Sequence, residues 1–310
     1  MADRQLLLIK QETVEGTDAA PAAVDVVWAE GAQFTPKGDR SKTTVDKPGV
    51  GPVAGKLTGQ YGELTLSVPL TASGTKGTAP KWGFLAKFCG FSETLVATTS
   101  ATYALAADPT VSPSATITWR EGRRLHKLTM SRGRMGLKLD ENQRPMLTFA
   151  FKGLKVAVAD GAVIAHADAT WTGWVDAMPI TQGRTTFTVA GATAPFRSLS
   201  IDQTDNVVFS DRPNQKRIDL VGERTFSGKL KCGTLLPSVL NFETLAENDT
   251  ISTLALVHGA TAGNIITVNA RFQNGEPSYS DDKGLDVTDV DLSLVPSALN
   301  TDDDWSIVLT

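Results

Sequence analysis

Three histidines, two cysteines and an acidic run near the C-terminus are the places where this sequence of 310 residues could hold a metal or carry out chemistry. His126, His166 and His258 lie far apart, with no HxxE or HExxH arrangement to set two ligands on one helix face, so structural or surface histidines are expected rather than a zinc site. "GPVAGKLT" at 51–58 approaches a phosphate-binding loop. That loop needs four residues between its glycines and a Ser or Thr after the lysine; here there are three, and Leu57 follows Lys56. No G-x-S-x-G nucleophile elbow occurs. Asp302 to Asp304 lack the alternating spacing and the later Glu of a calcium loop, which leaves a solvated tail as the expectation. Cys89 and Cys232 fit no metal spacing and are too few for a disulfide framework, so both read as small buried hydrophobes. No catalytic residue, no metal and no cofactor is expected, and the chain does not read as an enzyme.

What must position any functional surface is a set of strands. In "GELTLSVPL" the apolar residues Leu64, Leu66, Val68 and Leu70 alternate with Glu63, Thr65 and Ser67, the pattern of a half-buried strand. "GRMGLKLDENQRPMLTFAFKG" places Met135, Leu137 and Leu139 on one face. A polar turn over Asp140 to Arg144 follows, then Leu147, Phe149 and Phe151 on the matching face of a partner strand, which makes a hairpin. "SATITW", "RLHKLTM", "TTFTVAG", "GKLKC", "TLALVHG", "NIITVNARF" and "VDLSLV" repeat this vocabulary between Gly, Pro, Asn and Asp punctuation. The fold expected is mainly antiparallel β, as sandwich or barrel. Against it stands one short helix, "PKWGFLAKFCGFS" at 80–92, with Trp82, Leu85 and Cys89 at helical spacing on one face.

Composition narrows the function classes. With 41% hydrophobic residues, 21% charged residues and 27 glycines, the chain is an ordinary globular protein of one large or two medium domains. Thirty basic against 34 acidic residues, net −4, disfavour a protein that grips nucleic acid by neutralising phosphates. No apolar run approaches the length of a secretory core or a membrane span, so a cytosolic protein without membrane insertion is expected.

An internal repeat is legible in the order of elements. "GELTL" recurs as "GKLKC", "ATYALA" as "STLALV", "ATITW" as "NIITV", the helix as "PSVLNFETLA", and the closing "PMLTFAFKGL" as "VTDVDLSLVPS". The repeat suggests two β-sandwich domains, 1–178 and 179–310, with the boundary in "GWVDAMPITQG".

The N-terminal "IKQETVEGTDAAPAAVDVVWAE", the helix "KWGFLAKFCGFSETL" and above all "SATITWREGRRLHKLTMSRGRMGLKLDENQRPMLTFAFKGL" resemble the major tail tube proteins of long-tailed bacteriophages, particularly those of transposable, Mu-like siphophages. The likeness covers residues 1 to about 155; the second half follows it only as the weaker internal copy. The resemblance implies tandem tail tube domains, each a β-sandwich with a short flanking helix, whose sheets join between subunits into a β-barrel ring. Stacked rings would make a virion tail tube, assembled in the host cytoplasm and serving DNA ejection. Trp82, Leu85 and Cys89 would then pack the helix over the outer end of the sandwich, although plain core packing in a monomer fits them equally well. The polar strand faces become the candidate lumen. They are Glu63, Thr65, Ser67, Lys138, Thr148 and Lys152 in the first half, and Lys229, Lys231, Asp286, Asp289 and Asp291 in the second. A balanced or acidic lining lets DNA pass without sticking.

The partners so implied are copies of itself, as a trimeric ring if both halves are tube domains or a hexamer if the second half is a decoration. A tape measure protein, tail terminator or tip proteins, and genomic DNA in transit are implied as well. The punctuated loops 35–56 and 203–223 suit contacts between stacked rings. Two other classes fit a tandem β-sandwich: a virion binding or decoration module used in host attachment, and a hydrolase with a site assembled from loops.

Overall fold

A computed structural model describes residues 6–41, 48–49, 51, 53–161 and 168–310. The alternation seen in the sequence produces strands throughout, and every assigned pairing is antiparallel. The first half contains β1 (Leu6–Gln11), β2 (Glu30–Ser41), β3 (Lys56–Pro69), α1 (Gly83–Lys87), β4 (Phe91–Val96), β5 (Ser100–Leu105), β6 (Ala115–Glu121), β7 (Arg124–Asp140), β8 (Met146–Lys155) and β9 (Ala159–Asp160). The second half contains β10 (Thr185–Val189), β11 (Ala192–Thr193), β12 (Phe196–Gln203), β13 (Val207–Arg212), β14 (Gln215–Leu220), β15 (Phe226–Gly233), α2 (Phe242–Glu247), β16 (Ser252–His258), β17 (Ile266–Asn274), β18 (Ser278–Asp282), β19 (Leu285–Leu294) and β20 (Trp305–Leu309).

Two runs of strands share one connectivity. In the first half the hydrogen-bonded order is β1–β6–β7–β8–β3–β2. In the second it is β10–β16–β17–β19–β15–β12. A short helix follows β3 in one and β15 in the other. Even an irregularity recurs: the ladder β2–β3 slips between Glu30 and Gln33, and β12–β15 slips between Phe196 and Ser198. These partners correct two of the sequence matches. "STLALV" lies on β16, which takes the position of β6, not that of β5, and "NIITV" leads into β17, which takes the position of β7. The physical reason is that a period of two says which face a side chain takes and carries nothing about which strand it belongs to. "GELTL" with "GKLKC" and β8 with β19 keep their equivalence.

β7 is the hinge of the architecture. Its N-terminal part pairs with β6 of the first half and its C-terminal part with β12 of the second, so one long strand joins the strands of both halves. The inward residues of both halves meet in one apolar cluster that includes Leu64, Phe149, Leu199, Leu230, Val290 and Trp305. Among the described residues no strand order closes on itself into a barrel.

Within this core sits α1, a single turn stopped by Gly90 at φ +81°. Trp82, Leu85 and Cys89 are fully buried, and so are Ala86 and Phe88, which makes the helix apolar on more than the one face expected. Trp82 donates its ring N–H to Thr71 O at 2.7 Å and packs on Tyr103 with ring centroids 4.7 Å apart. From the second half, Arg224 donates to Gly90 O, just past the helix, and to Ala106 O, just past β5. Gly83 is where the fit is tightest, since a Cβ there would stand 2.0 Å from the Tyr103 hydroxyl and 2.6 Å from Cζ. Gly83→Ala is therefore expected to destabilise the chain by about 1–3 kcal/mol through overpacking. An unchanged denaturation midpoint would contradict this packing.

Two further expectations are corrected. The segment 203–223 is not a plain loop: β13 and β14 form a hairpin laid on the first half. The acidic run is not a solvated tail either. Asp302 pairs with Arg224 at 3.1 Å, and Asp304 is buried immediately before β20. Asp303 accepts from Ser297 N at 2.8 Å, and chiefly that bond holds its carboxyl down at about 2. The run closes a turn because short carboxylates are good acceptors for nearby backbone donors.

Candidate functional site

Cross-strand register assembles a surface larger than either half suggests. Following neighbours, β2–β3–β8–β7–β12–β15–β19–β18 is an uninterrupted sheet of eight strands, four from each half of the chain. Directly paired residues share a face. Glu63 pairs with Lys152, Thr65 with Ala150, and Ser67 with Thr148, so the first-half candidates on β3 and β8 lie together. Lys138 falls on the same face, because Thr148 pairs with Gly136 two residues before it. The row then crosses the middle of the chain: Lys138 faces Ser200, Ser200 faces Lys229, and Lys229 faces Asp291. A neighbouring row runs from Asp140 through Ser198 and Lys231 to Asp289.

Ten of the eleven expected face residues are thereby joined on one polar surface. Asp286 is not. It is an odd number of positions from Asp289 and Asp291, which puts it with Thr288 and Val290 on the opposite side. It is exposed because the β18–β19 hairpin runs past the core there. Ser198, Ser200, Asp202, Asp140 and Arg134 belong to the face and were missing from the expected set. The alternation of Leu199 and Ile201 with Ser198, Ser200 and Asp202 in "RSLSIDQ" was the available signal.

Charge on this face is nearly self-compensated. Lys229 lies 3.3 Å from Asp291, Lys231 3.3 Å from Asp289, Lys138 3.3 Å from Asp140, and Glu63 3.4 Å from Lys37. Such exposed pairs add roughly 0–1 kcal/mol each to stability. Their larger effect is that each of these lysines has a carboxylate at hand. Lys152 is occupied differently: the hairpin β13–β14 covers it, and its ammonium donates to Asp205 at 2.5 Å and to Val207 O at 2.9 Å. The same hairpin stacks Phe209 on Tyr61 with centroids 4.8 Å apart, and Arg132 beneath it donates to Ile218 O.

The residues that could have done chemistry sit elsewhere. His258 bridges Thr185 and the carbonyl of Met178. A carbonyl can only accept, so Nε2 carries the proton and Nδ1 accepts from the hydroxyl. Burial lowers its pKa and keeps the ring neutral. His126 lies against Phe34, with ring centroids 4.8 Å apart, and His166 lies outside the described residues. Lys56 of "GPVAGKLT" opens a strand and no helix follows it, so the segment lacks the helix N-terminus that a phosphate loop uses. Both thiols are buried, which raises the pKa of Cys89 and, with the charge of Asp289 adding to it, pushes Cys232 up to about 11. Among the described residues no three His, Cys, Asp or Glu side chains gather as a metal-binding group.

A family model described as phage tail tube protein matches residues 2–294. The chain belongs to the phage tail tube protein family. No curated protein matches it. A tail tube protein is a structural component of the virion tail that assembles with copies of itself and meets other tail proteins. For such a protein an open sheet with one polar face is the surface to explain. Among the described residues no helix is long and apolar enough to cross a membrane.

Proposed function

We propose that three copies of this tail tube protein form each ring of the tube, and that the polar face of the eight-strand sheet lines the conduit through which genomic DNA is ejected. The observation that carries the reading is the continuous sheet itself. A barrel of about eight strands is filled by its own side chains, and aqueous channels begin at roughly 16–18 strands. One chain cannot enclose DNA; three chains with eight strands each give a barrel of 24. With a strand spacing of about 4.8 Å and a tilt of about 40°, such a barrel measures on the order of 45–50 Å across between strand axes.

The repeated connectivity supports treating 1–178 and 179–310 as two tube domains, so a three-fold ring would be pseudo-six-fold. The shared core and the strand pairing between β7 and β12 would then be an inter-domain contact frozen inside one chain. Closing the ring removes the free sheet edges, and stacking rings gives a filament. The long β2–β3 hairpin, which includes the described part of the 35–56 segment, is the element suited to the contact between rings. The resemblance of the first half to Mu-like siphophage proteins supports reading the tube as part of a long tail assembled in the host cytoplasm, with a tape measure protein inside and terminator or tip proteins at its ends. The role is one of assembly and passage, not catalysis.

Mass measurement on an isolated ring, or the rotational symmetry of tubes imaged by electron microscopy, tests this. Three chains per layer is the expected result. Six chains per layer would overturn it and move residues 179–310 to the exterior, and a persistent monomer would overturn the tube reading altogether.

A further inference from the structure

The eight-strand sheet ends on two strands that, among the described residues, each have one partner: β2 pairs with β3, and β18 with β19. Inside the chain, the equivalents of these two edges are already joined to each other. β12 occupies the position of β2, and the C-terminal part of β7 occupies that of β18. The junction β12–β7 is therefore a worked copy of how one tube domain meets the next, and it fixes a register. On one side, Ser200 and Ile201 face Lys229 and Gly228 as Thr35 and Pro36 face Glu63 and Gly62. On the other, Leu137 and Lys138 face Leu147 and Met146 as Asp281 and Asp282 face Asp286 and Leu285. Ser200 faces Lys138 and Ile201 faces Leu137.

We infer that β2 of one copy pairs antiparallel with β18 of the next, with Thr35 opposite Asp282, Pro36 opposite Asp281 and Lys37 opposite Ser280. The inference rests on the ring proposed above. Charge agrees with the register. Lys37 and Asp282 come to lie on one face as diagonal neighbours, within reach of each other. The two edges differ from the internal junction in a way that suits a contact made between molecules. Where β7 presents Leu137 and Leu139, both buried, β18 presents Asp281 and the turn residue Lys283. Charged residues on an exposed edge keep free chains from pairing indiscriminately and leave only the complementary edge as a good partner. Two internal observations bear on how tight the join is. A Cβ on Gly136 would lie 2.9 Å from Ile201 O, so the internal junction closes to direct contact. The bulge preceding β12's paired residues recurs in β2 at the same place, so both strands enter the junction with the same bend.

Paired cysteines test the register: Thr35→Cys with Asp282→Cys, and Lys37→Cys with Ser280→Cys, each in an otherwise native chain. Cys89 and Cys232 are buried and leave the background low. After mild oxidation of assembled tubes, most of the protein is expected to move from the monomer band to dimer and trimer bands on a non-reducing gel. Tubes of normal appearance whose chains stay monomeric, or link only within one chain, would overturn the junction while leaving the ring reading intact. Absence of any ring or tube from the native chain would overturn both. Should the cysteines impair assembly, charge exchange gives a second readout. Lys37→Asp and Asp282→Lys should each slow tube formation, and the double variant should recover most of the native rate. Failure of the double variant to recover counts against the register.

Discussion

Phe149→Ala is expected to cost about 3–5 kcal/mol of folding stability and to lower the yield of folded chain. Phe149 is 2% exposed at the centre of the β3–β8–β7 ladder, paired with Leu66 on one side and Met135 on the other. Its ring stacks on that of Phe151, with centroids 5.9 Å apart and planes within 5°. Truncation removes most of a large buried side chain and leaves a cavity walled by strands that are hydrogen-bonded on both sides and cannot collapse into it. That puts the cost at the upper end for a core deletion rather than the lower. Chemical denaturation of the unassembled chain measures the loss directly. A midpoint equal to that of the native chain would mean that the β7–β8 register described here is wrong.

The second large effect is on passage of DNA. Asp289→Lys with Asp291→Lys should leave the fold intact, since both side chains stand on the polar face and neither contributes to the core. The electrostatics of the face would be inverted. Lys229 and Lys231 lose their carboxylates, two further cations join them, and the formal charge of the chain rises from −4 to 0. Repeated around a ring and along a tube, these cations would engage many phosphates at once. Each contact adds a counterion-release term, and six or more change affinity on the order of 10³-fold between 50 and 200 mM salt. Purified variant tubes should therefore retain DNA at low salt and release it steeply as salt rises. Phage carrying both changes should eject DNA slowly and lose infectivity. Normal ejection together with unchanged DNA retention would place this strand away from the conduit.

The local grammar of this protein is written in its sequence. Alternation of Leu64, Leu66 and Val68 with Glu63, Thr65 and Ser67 determines which side of β3 is buried, because a strand turns successive side chains to opposite faces whatever lies around it. The polar run between Leu139 and Leu147 determines the β7–β8 hairpin for an equally local reason, a turn joining two matched apolar faces. Spacing alone also buries Trp82, Leu85 and Cys89, and the family resemblance follows from those same motifs. What the sequence could not determine is who neighbours whom. Period two is identical in β5, β6 and β16, so choosing the equivalent strand required their partners. The turn of β7 from β6 to β12 joins residues about 60 positions apart, and it converts two polar faces into one. Asp286 takes the opposite face, Asp302 closes on Arg224, and 203–223 folds onto Tyr61 and Arg132, each through contacts between distant segments. Such contacts are chosen by the shape and burial of the whole core rather than by any local preference, and for that reason the eight-strand sheet and its two open edges belong to the tertiary structure alone.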